Sequence, residues 1–451
     1  MITSPAFSGK KYAVLGLARS GFAVVRALVA SGAEVTAWDR QEDARAKVEG
    51  LVELADPLEQ DLTGYAGVVV SPGVPLNTHP IAGHAAKFGV PVIGDIELFA
   101  QARADLPAHK VVGITGTNGK STTTALVHHI LKEAGVPTLM GGNIGIPIME
   151  QEPLPEGGVY VLELSSYQID LTQSLDCDVA MLLNITPDHL DRYDGSFENY
   201  AEAKSRLLSM QSEAHYALVN WQGFEAGTIR VGKSGFNCIV PAATDAQVNW
   251  PSLQGPHNAE NAGAAMAACA WLGLSVDPIE KGLRSFTGLP HRMELVADHN
   301  GVLLINDSKA TNQASTAPAL AAYPHDPGIN DGAPRIHWIV GGLPKEPGLR
   351  ECAQHIDNIA AAYTIGEAGP AFADELEGQV PVRRTEMLCE AVKQAMEAAR
   401  PGEVVLLSPA CASFDQFKDY EQRGDQFRDI VTALTSGEYE NNTAPCCEVA
   451  L

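Results

Sequence analysis

At 451 residues the chain has room for about three domains of ~150 residues, each large enough to bury its own core. Its 55 acidic side chains against 31 basic ones give a formal charge of -24, which repels phosphate backbones and anionic headgroups over most of the surface. No nucleic-acid partner is expected, and an anionic small substrate has to be drawn in by local cations, metal ions or helix N-termini.

The N-terminus, MITSPAFSGKKYAVLGL, passes from polar residues straight into a strand pattern without the apolar stretch of a signal peptide. Strand-like runs at 11–17, 34–39 and 67–73 end in turn residues and alternate with amphipathic segments, which predicts a first βαβ cycle. A second cycle runs through 109–116, 159–166 and 179–186. The alanine-rich AGAAMAACAWLGLSV reads as a buried helix, too short for a membrane span. A third cycle begins near HRMELV and continues through 301–308, 335–342 and 403–410. The expectation is an α/β protein of three domains, each a mainly parallel sheet flanked by helices, at 1–106, 107–290 and 291–451. The segment 323–334 reads as a surface loop and the last fifteen or so residues as disordered. The eight cysteines show no C-x-x-C and no framework spacing, which predicts reduced cytosolic thiols; Cys446 and Cys447 are the one close pair.

The first turn, GLARSG (16–21), sits between strand and helix with Asp39 where a dinucleotide domain places its ribose-binding acid. Ala18 occupies the place of the glycine that lets backbone approach a pyrophosphate, which argues against a nicotinamide cofactor. A helix N-terminus can still take a diphosphate, and a plain strand-to-helix turn fits equally well. SPGV (71–74) is a second such turn.

The stretch GITGTNGKSTTTALVHHIL (113–131) is stronger. Gly116, Gly119, Lys120, Ser121 and Thr122 lie between an apolar strand and a helix, so backbone N–H groups can converge on phosphate, the lysine can reach the β/γ oxygens and the Ser121 hydroxyl suits Mg²⁺. The pattern's usual first glycine position is Ile114, with Gly113 just before it. Glu163 ends the next strand, where a carboxylate can ligate the same ion or cap a helix. His189, with Asp188 and Asp191 nearby, follows the third strand. Asn258 and Asn261, three apart at a helix start, share a face and suit either ligand contact or N-capping.

Seven segments in order, GTNGKSTT, LELSSYQ, NITPDHLDRY, GPHNAEN, HRME, NDSKATN and SPACASFDQF, cover nearly the whole chain and resemble the Mur ligases of peptidoglycan precursor synthesis. The displaced glycine is normal for that family's GTNGKST loop. The branch most similar adds D-glutamate to UDP-N-acetylmuramoyl-L-alanine. The resemblance implies a Rossmann-like UDP-substrate domain, a P-loop central ATPase domain and a Rossmann-like amino-acid-binding domain. It further implies a cytoplasmic monomer that uses ATP and Mg²⁺ and forms an acyl phosphate.

Residue by residue, the resemblance implies that Gly116, Thr117, Asn118, Gly119, Lys120, Ser121 and Thr122 hold the ATP phosphates. Asn258 and Asn261 meet adenine, Arg292 and Lys309 phosphates, and Asp307 ribose. The metal ligands implied are Ser121, Glu163, His189 and Lys204, the last as a carbamate, since an ammonium cannot ligate a cation. Asn143 in GGNIGIP lies near metal and substrate, and with Lys120, His189 and Lys204 makes the catalytic set. Ser20, Asp39, Arg40, Ser71 and Gly73 are candidates for UDP contacts. Thr311, Lys345, Ser413 and Tyr420 are those for the incoming glutamate; Tyr420 stands where an aromatic, often Phe, is expected.

Overall fold

The computed structural model describes residues 1–188, 190–220, 235–243 and 246–436, so the readings of the Cys446–Cys447 pair and of the C-terminal tail lie outside the described residues. Every apolar run read as a strand is one. The first sheet consists of β1 (Lys11–Leu15), β2 (Glu34–Trp38), β3 (Glu53–Leu54), β4 (Tyr65–Val70) and β5 (Val92–Ile93), parallel throughout in the order β3-β2-β1-β4-β5. The second consists of β6 (His109–Thr115), β7 (Thr138–Gly142), β8 (Gly158–Glu163), β9 (Val179–Leu182), β10 (Tyr216–Val219) and β11 (Gly235–Cys238), also parallel, in the order β11-β10-β9-β6-β8-β7. β8 is buried along its whole length, as a strand covered by helices on both faces must be.

The third sheet holds β12 (Glu294–His299), β13 (Val302–Asn306), β14 (Ile336–Gly341), β15 (Ile359–Ile365), β16 (Val382–Glu386) and β17 (Val404–Leu407), in the order β12-β13-β17-β14-β15-β16. One strand departs from the expected parallel set, because β12 pairs antiparallel with β13. The cause is local. Asn300 and Gly301 between them have φ of 55° and 79°, the backbone that a two-residue hairpin needs to match the twist of its strands. The segment 323–334 is mostly exposed, as expected of a loop, but its first residue, Tyr323, is buried.

The chain divides into two compact units, Met1–Pro241 with Glu260–Gly282, and Ala242–Ala259 with Leu283–Leu451. The first unit contains the first two sheets, joined by a continuous core in which the Phe99 and Tyr160 rings meet edge to face at 5.0 Å. A buried carboxylate reinforces that joint. Glu97, on the helix Asp95–Ala102, accepts the backbone N–H groups of Gln173 (2.7 Å) and Ser174 (2.9 Å) and the Ser174 hydroxyl (2.7 Å). In the second unit, buried Trp338 donates to the carbonyl of Ser408 at 2.8 Å, tying β14 to the segment that leaves β17. Among the described residues no helix is long and apolar enough to cross a membrane, and the cysteines are unpaired.

Glu97→Leu keeps the volume but strands two backbone donors. It should cost about 1–3 kcal/mol in urea unfolding, and a loss below ~0.5 kcal/mol would show that the carboxylate does not support the joint.

Candidate functional site

β6 delivers the phosphate loop. Gly113 lies inside this strand because a Cβ there would stand 2.6 Å from Cys177 Sγ, and Ile114 beside it is fully buried. The turn is made later, by Gly119 at φ 81°, which precedes the helix Lys120–Glu133 and whose Cβ would fall 2.3 Å from Asn261 Oδ1. This explains the displaced first glycine: position 114 belongs to the core rather than to the loop.

The loop is held open by a residue the sequence analysis did not single out. Asn184 accepts the N–H groups of Thr117 (3.1 Å) and Asn118 (2.8 Å) on its Oδ1 and returns a hydrogen bond from Nδ2 to the Asn118 carbonyl (3.1 Å). The Thr117 hydroxyl donates to Thr186 O and meets the Tyr200 hydroxyl, each at 3.1 Å. The strand-end position of Asn184 and its ability to imitate backbone in turns were the available signals. Ser121 is buried in the first turn of the helix, Thr122 half-buried beside it.

Two lysines converge on one carbonyl. Lys120 Nζ donates to Gly116 O (3.0 Å) and Thr117 O (2.8 Å), and Lys204 Nζ donates to Gly116 O at 2.8 Å. Lys204 comes from the helix Phe197–Ser209, capped by the Ser196 hydroxyl, and is 2% exposed, with Nζ 4.7 Å from the centre of the Tyr200 ring. Burial first, and the Lys120 charge second, bring its pKa down to about 7. At neutral pH much of this side chain is therefore a free amine.

Glu163, at the end of β8, is 1% exposed. Its Oε1 accepts from Asn143 Nδ2 at 2.8 Å, whereas Oε2 is buried without a hydrogen-bond partner among the described residues. A buried carboxylate oxygen left unmatched is costly, and the donor chemistry fits a divalent cation. Asn143 is brought there by Gly142, whose φ is 92° and whose Cβ would stand 2.1 Å from Glu163 O. His189 lies outside the described residues. Among the described residues no group of three or more His, Cys, Asp or Glu side chains could hold a metal; the carboxylate that shares the neighbouring cleft is Asp188.

Gly73, Lys120, Asn143 and Lys204 line one cleft of about 370 Å³, together with Tyr167 and Arg192. Arg192 was not anticipated: its guanidinium lies 4.0 Å from the centre of the Tyr167 ring and donates to Val74 O at 3.2 Å. The cleft thus sets the Lys120 and Arg192 cations beside one carboxylate, Asp188, in a chain of net charge -24, and those two cations suit an anion.

The other candidates of the first domain sit at the ends of the first sheet. Asp39 accepts from Leu17 N (2.7 Å) and Gln41 N (2.9 Å), and Arg40 is exposed next to it. Ser71 donates to Gly16 O at 2.8 Å, and Ser20 lies in the first turn of the helix Arg19–Ala30. Gly21 is required there, since a Cβ would fall 1.8 Å from Gly16 O.

In the helix Pro256–Trp271, Asn261 Oδ1 accepts from the Thr123 hydroxyl (3.2 Å) and Asn258 Nδ2 donates to Gln254 O (3.0 Å). In the second unit Asp307 accepts from Met293 N (3.1 Å) and the Ser408 hydroxyl (2.7 Å), and burial raises its pKa to about 7. Arg292 lies between His291 and Met293, both left-handed at φ 62° and 45°, a strained turn. Lys309 donates to the Tyr420 hydroxyl at 2.9 Å, and Lys345 to the Thr311 hydroxyl at 2.9 Å. Ser413 is buried just beyond the bridge between Leu343 and Ala412.

Against known proteins, residues 10–94 match the Mur ligase MurD-like N-terminal domain, 114–269 the Mur ligase middle domain and 291–411 the Mur ligase glutamate ligase domain. The chain belongs to the Mur ligase family. It is 63% identical to the UDP-N-acetylmuramoylalanine--D-glutamate ligase of Novosphingobium aromaticivorans, with 99% of each chain covered. It is 58% identical to the ligase of the same name from Sphingopyxis alaskensis, covering 96% of this chain and all of that one. Among solved structures, the MurF ligase of Thermotoga maritima in complex with ADP shares the fold with a TM-score of 0.57 at 15% identity, over 96% of each chain. The UDP-N-acetylmuramate-alanine ligase MurC of the same organism does so with a TM-score of 0.56 at 17% identity, over 94% of this chain and 99% of that one.

A pH test follows from the buried lysine. Because the Lys204 pKa lies below its ordinary 10.5, the unfolded chain binds more protons between the two values. Wild-type stability should therefore rise with pH above about 7 relative to Lys204→Met, by at most ~1.4 kcal/mol per pH unit. Urea unfolding of both proteins at pH 6.5, 7.5 and 8.5, in metal- and CO₂-free buffer, checks this; a constant difference would mean that the amine is not desolvated.

Proposed function

We propose that the chain is an ATP-dependent amide-bond ligase that adds D-glutamate to UDP-N-acetylmuramoyl-L-alanine. The substrate assignment is carried by the 63% identity, over 99% of both chains, to a relative of that name. The chemistry agrees with the site. A carboxylate oxygen of the UDP substrate attacks the γ-phosphorus of ATP, ADP leaves, and an acyl phosphate forms. The amine of D-glutamate then attacks the acyl carbon, phosphate departs, and the amine proton is lost as the amide forms.

Phosphoryl transfer asks a protein mainly for positioning and charge neutralisation. We assign that work to the backbone N–H groups from Gly116 to Thr122 and to Lys120, which is already packed against the loop. Mg²⁺, held by Ser121 and Glu163, would neutralise charge on the phosphates. Asn143 fixes the Glu163 carboxylate through the 2.8 Å hydrogen bond to Oε1. With His189 we assign Lys204 to a second metal position as its carbamate: the neutral amine adds to CO₂, forming an N–C bond and releasing a proton. Its near-complete burial supports this, because burial brings the pKa down to about 7 and so makes the neutral amine accessible near neutral pH.

The UDP moiety is assigned to Ser20, Asp39, Arg40, Ser71 and Gly73, and Arg192 joins them as a cleft cation close to Gly73. Asn258 and Asn261 are assigned to adenine, Asp307 to ribose, and Arg292 and Lys309 to phosphate. Thr311, Lys345, Ser413 and Tyr420 are assigned to the amino acid. We place the enzyme in the cytoplasm, as a monomer, where its nucleotide substrates are made.

Phosphate release from ATP and UDP-N-acetylmuramoyl-L-alanine, with D-glutamate, L-glutamate or L-alanine offered in parallel, tests the reading. Only D-glutamate should support turnover, and Lys120→Ala should lower it by at least ~100-fold, since a positioned cation on transferring phosphate contributes several kcal/mol. Equal use of L-alanine, or more than a tenth of wild-type rate in the variant, would overturn it.

A further inference from the structure

Tyr420 occupies a position assigned above to the amino acid, yet its hydroxyl faces a different group. Lys309 Nζ donates to the phenolic oxygen at 2.9 Å and stands 4.6 Å from the centre of the same ring. We propose that the hydroxyl of Tyr420 is a positioning group for the Lys309 ammonium, so that a residue of the amino-acid pocket also sets the affinity for nucleotide. The inference rests on the ligase reading only in taking Lys309 as a phosphate contact.

Both ends of the hydrogen bond are held by fixed backbone. Tyr420 opens the helix Tyr420–Thr435, whose start is capped by the Asp419 carboxylate accepting from Gln422 N at 2.7 Å. Its carbonyl accepts from the Ser308 hydroxyl at 2.8 Å. Ser308 is in turn gripped by the buried Arg423, through Nε to the hydroxyl (3.0 Å) and Nη2 to the carbonyl (2.8 Å). The next residue, Lys309, donates its own N–H to His291 O at 3.0 Å. Residues 308–309 and 420–423 therefore form one block, and the lysine's tip is aimed by a partner that cannot drift away from it.

The choice of partner matters chemically. A carboxylate at this position would fix the ammonium equally well but would also neutralise it. A phenol fixes it as a neutral acceptor and brings no opposing charge of its own. The phenol stays neutral here, because burial and the neighbouring Glu421 carboxylate push its ionisation above the ordinary tyrosine value. It accepts from Lys309 at 2.9 Å. The aromatic face alone would retain the ammonium without fixing its direction.

Tyr420→Phe keeps the ring and removes only the acceptor. Calorimetric binding of ADP and of a nonhydrolysable ATP analogue to the full chain is the primary measurement and needs no turnover. The variant should bind the triphosphate analogue about 3- to 10-fold more weakly, the scale of one ordinary hydrogen bond. Its melting temperature should be unchanged, and in steady state KM for ATP should rise. In a Lys309→Met background the same substitution should change nucleotide affinity less than twofold. Analogue affinity within twofold of wild type in Tyr420→Phe, or an equal loss in the Lys309→Met background, would overturn the proposal. Absence of D-glutamate-dependent phosphate release in the wild type would instead count against the ligase reading, and the calorimetric comparison would still decide the role of Tyr420.

Discussion

The buried carboxylate of Glu163 is the constraint around which the first unit is organised. One oxygen is held by Asn143 and the other is sealed from water with no hydrogen-bond partner among the described residues. Such an arrangement is unfavourable in an isolated chain and persists only because the backbone over-determines it. β8 is buried on both faces, and Gly142, with no room for a Cβ, brings Asn143 onto the end of that strand. Next to β8, β6 delivers the phosphate loop, since Gly113 and Ile114 pair with Leu162 and Glu163. The positions of the carboxylate and of the loop are therefore set by one strand register.

Around this pair cations collect that the chain as a whole lacks. Acidic residues outnumber basic ones overall, whereas Lys120 and Arg192 line one cleft with Lys204 and a single carboxylate, Asp188. Crowding two lysines onto the Gly116 carbonyl is part of what lowers the Lys204 pKa, although burial is the larger cause. The second unit repeats the theme in another form: the Tyr420 phenol accepts from Lys309 as a neutral group, and Asp307 is buried deeply enough that its pKa rises to about 7.

Much of this was legible in the sequence. Strands with continuous apolar runs, such as β6, β8 and β14, announced themselves, and so did the glycines and lysine of the phosphate loop. Among the strands that escaped notice, β3 has two residues and β16, Val382–Glu386, reads VRRTE, whereas β15, Ile359–Ile365, is apolar but alanine-rich, a composition equally at home in a helix. The antiparallel β12 could have been found from the Asn300-Gly301 dipeptide, a hairpin signal that outweighed the expected parallel order. Lys204 was legible only through family resemblance, because a lysine in FENYAEAKSRLLS reads as a solvated helix face and its burial depends on what packs over it. Asn184 and Arg192 belong to the same class, since their roles depend on neighbours more than 60 residues away along the chain.

The central claim is that the unmatched oxygen of Glu163 exists to hold a divalent cation beside bound nucleotide. Electron paramagnetic resonance of Mn²⁺ with ADP reads that site directly, comparing wild type with Glu163→Gln, which keeps the shape and removes the charge. The account predicts a bound, anisotropic Mn²⁺ signal in the wild type that falls by at least about tenfold in affinity in the variant, the scale of losing one charged ligand at ~1.4 kcal/mol per decade. Metal-free ADP should bind both proteins alike. An undiminished Mn²⁺ signal in Glu163→Gln would contradict it.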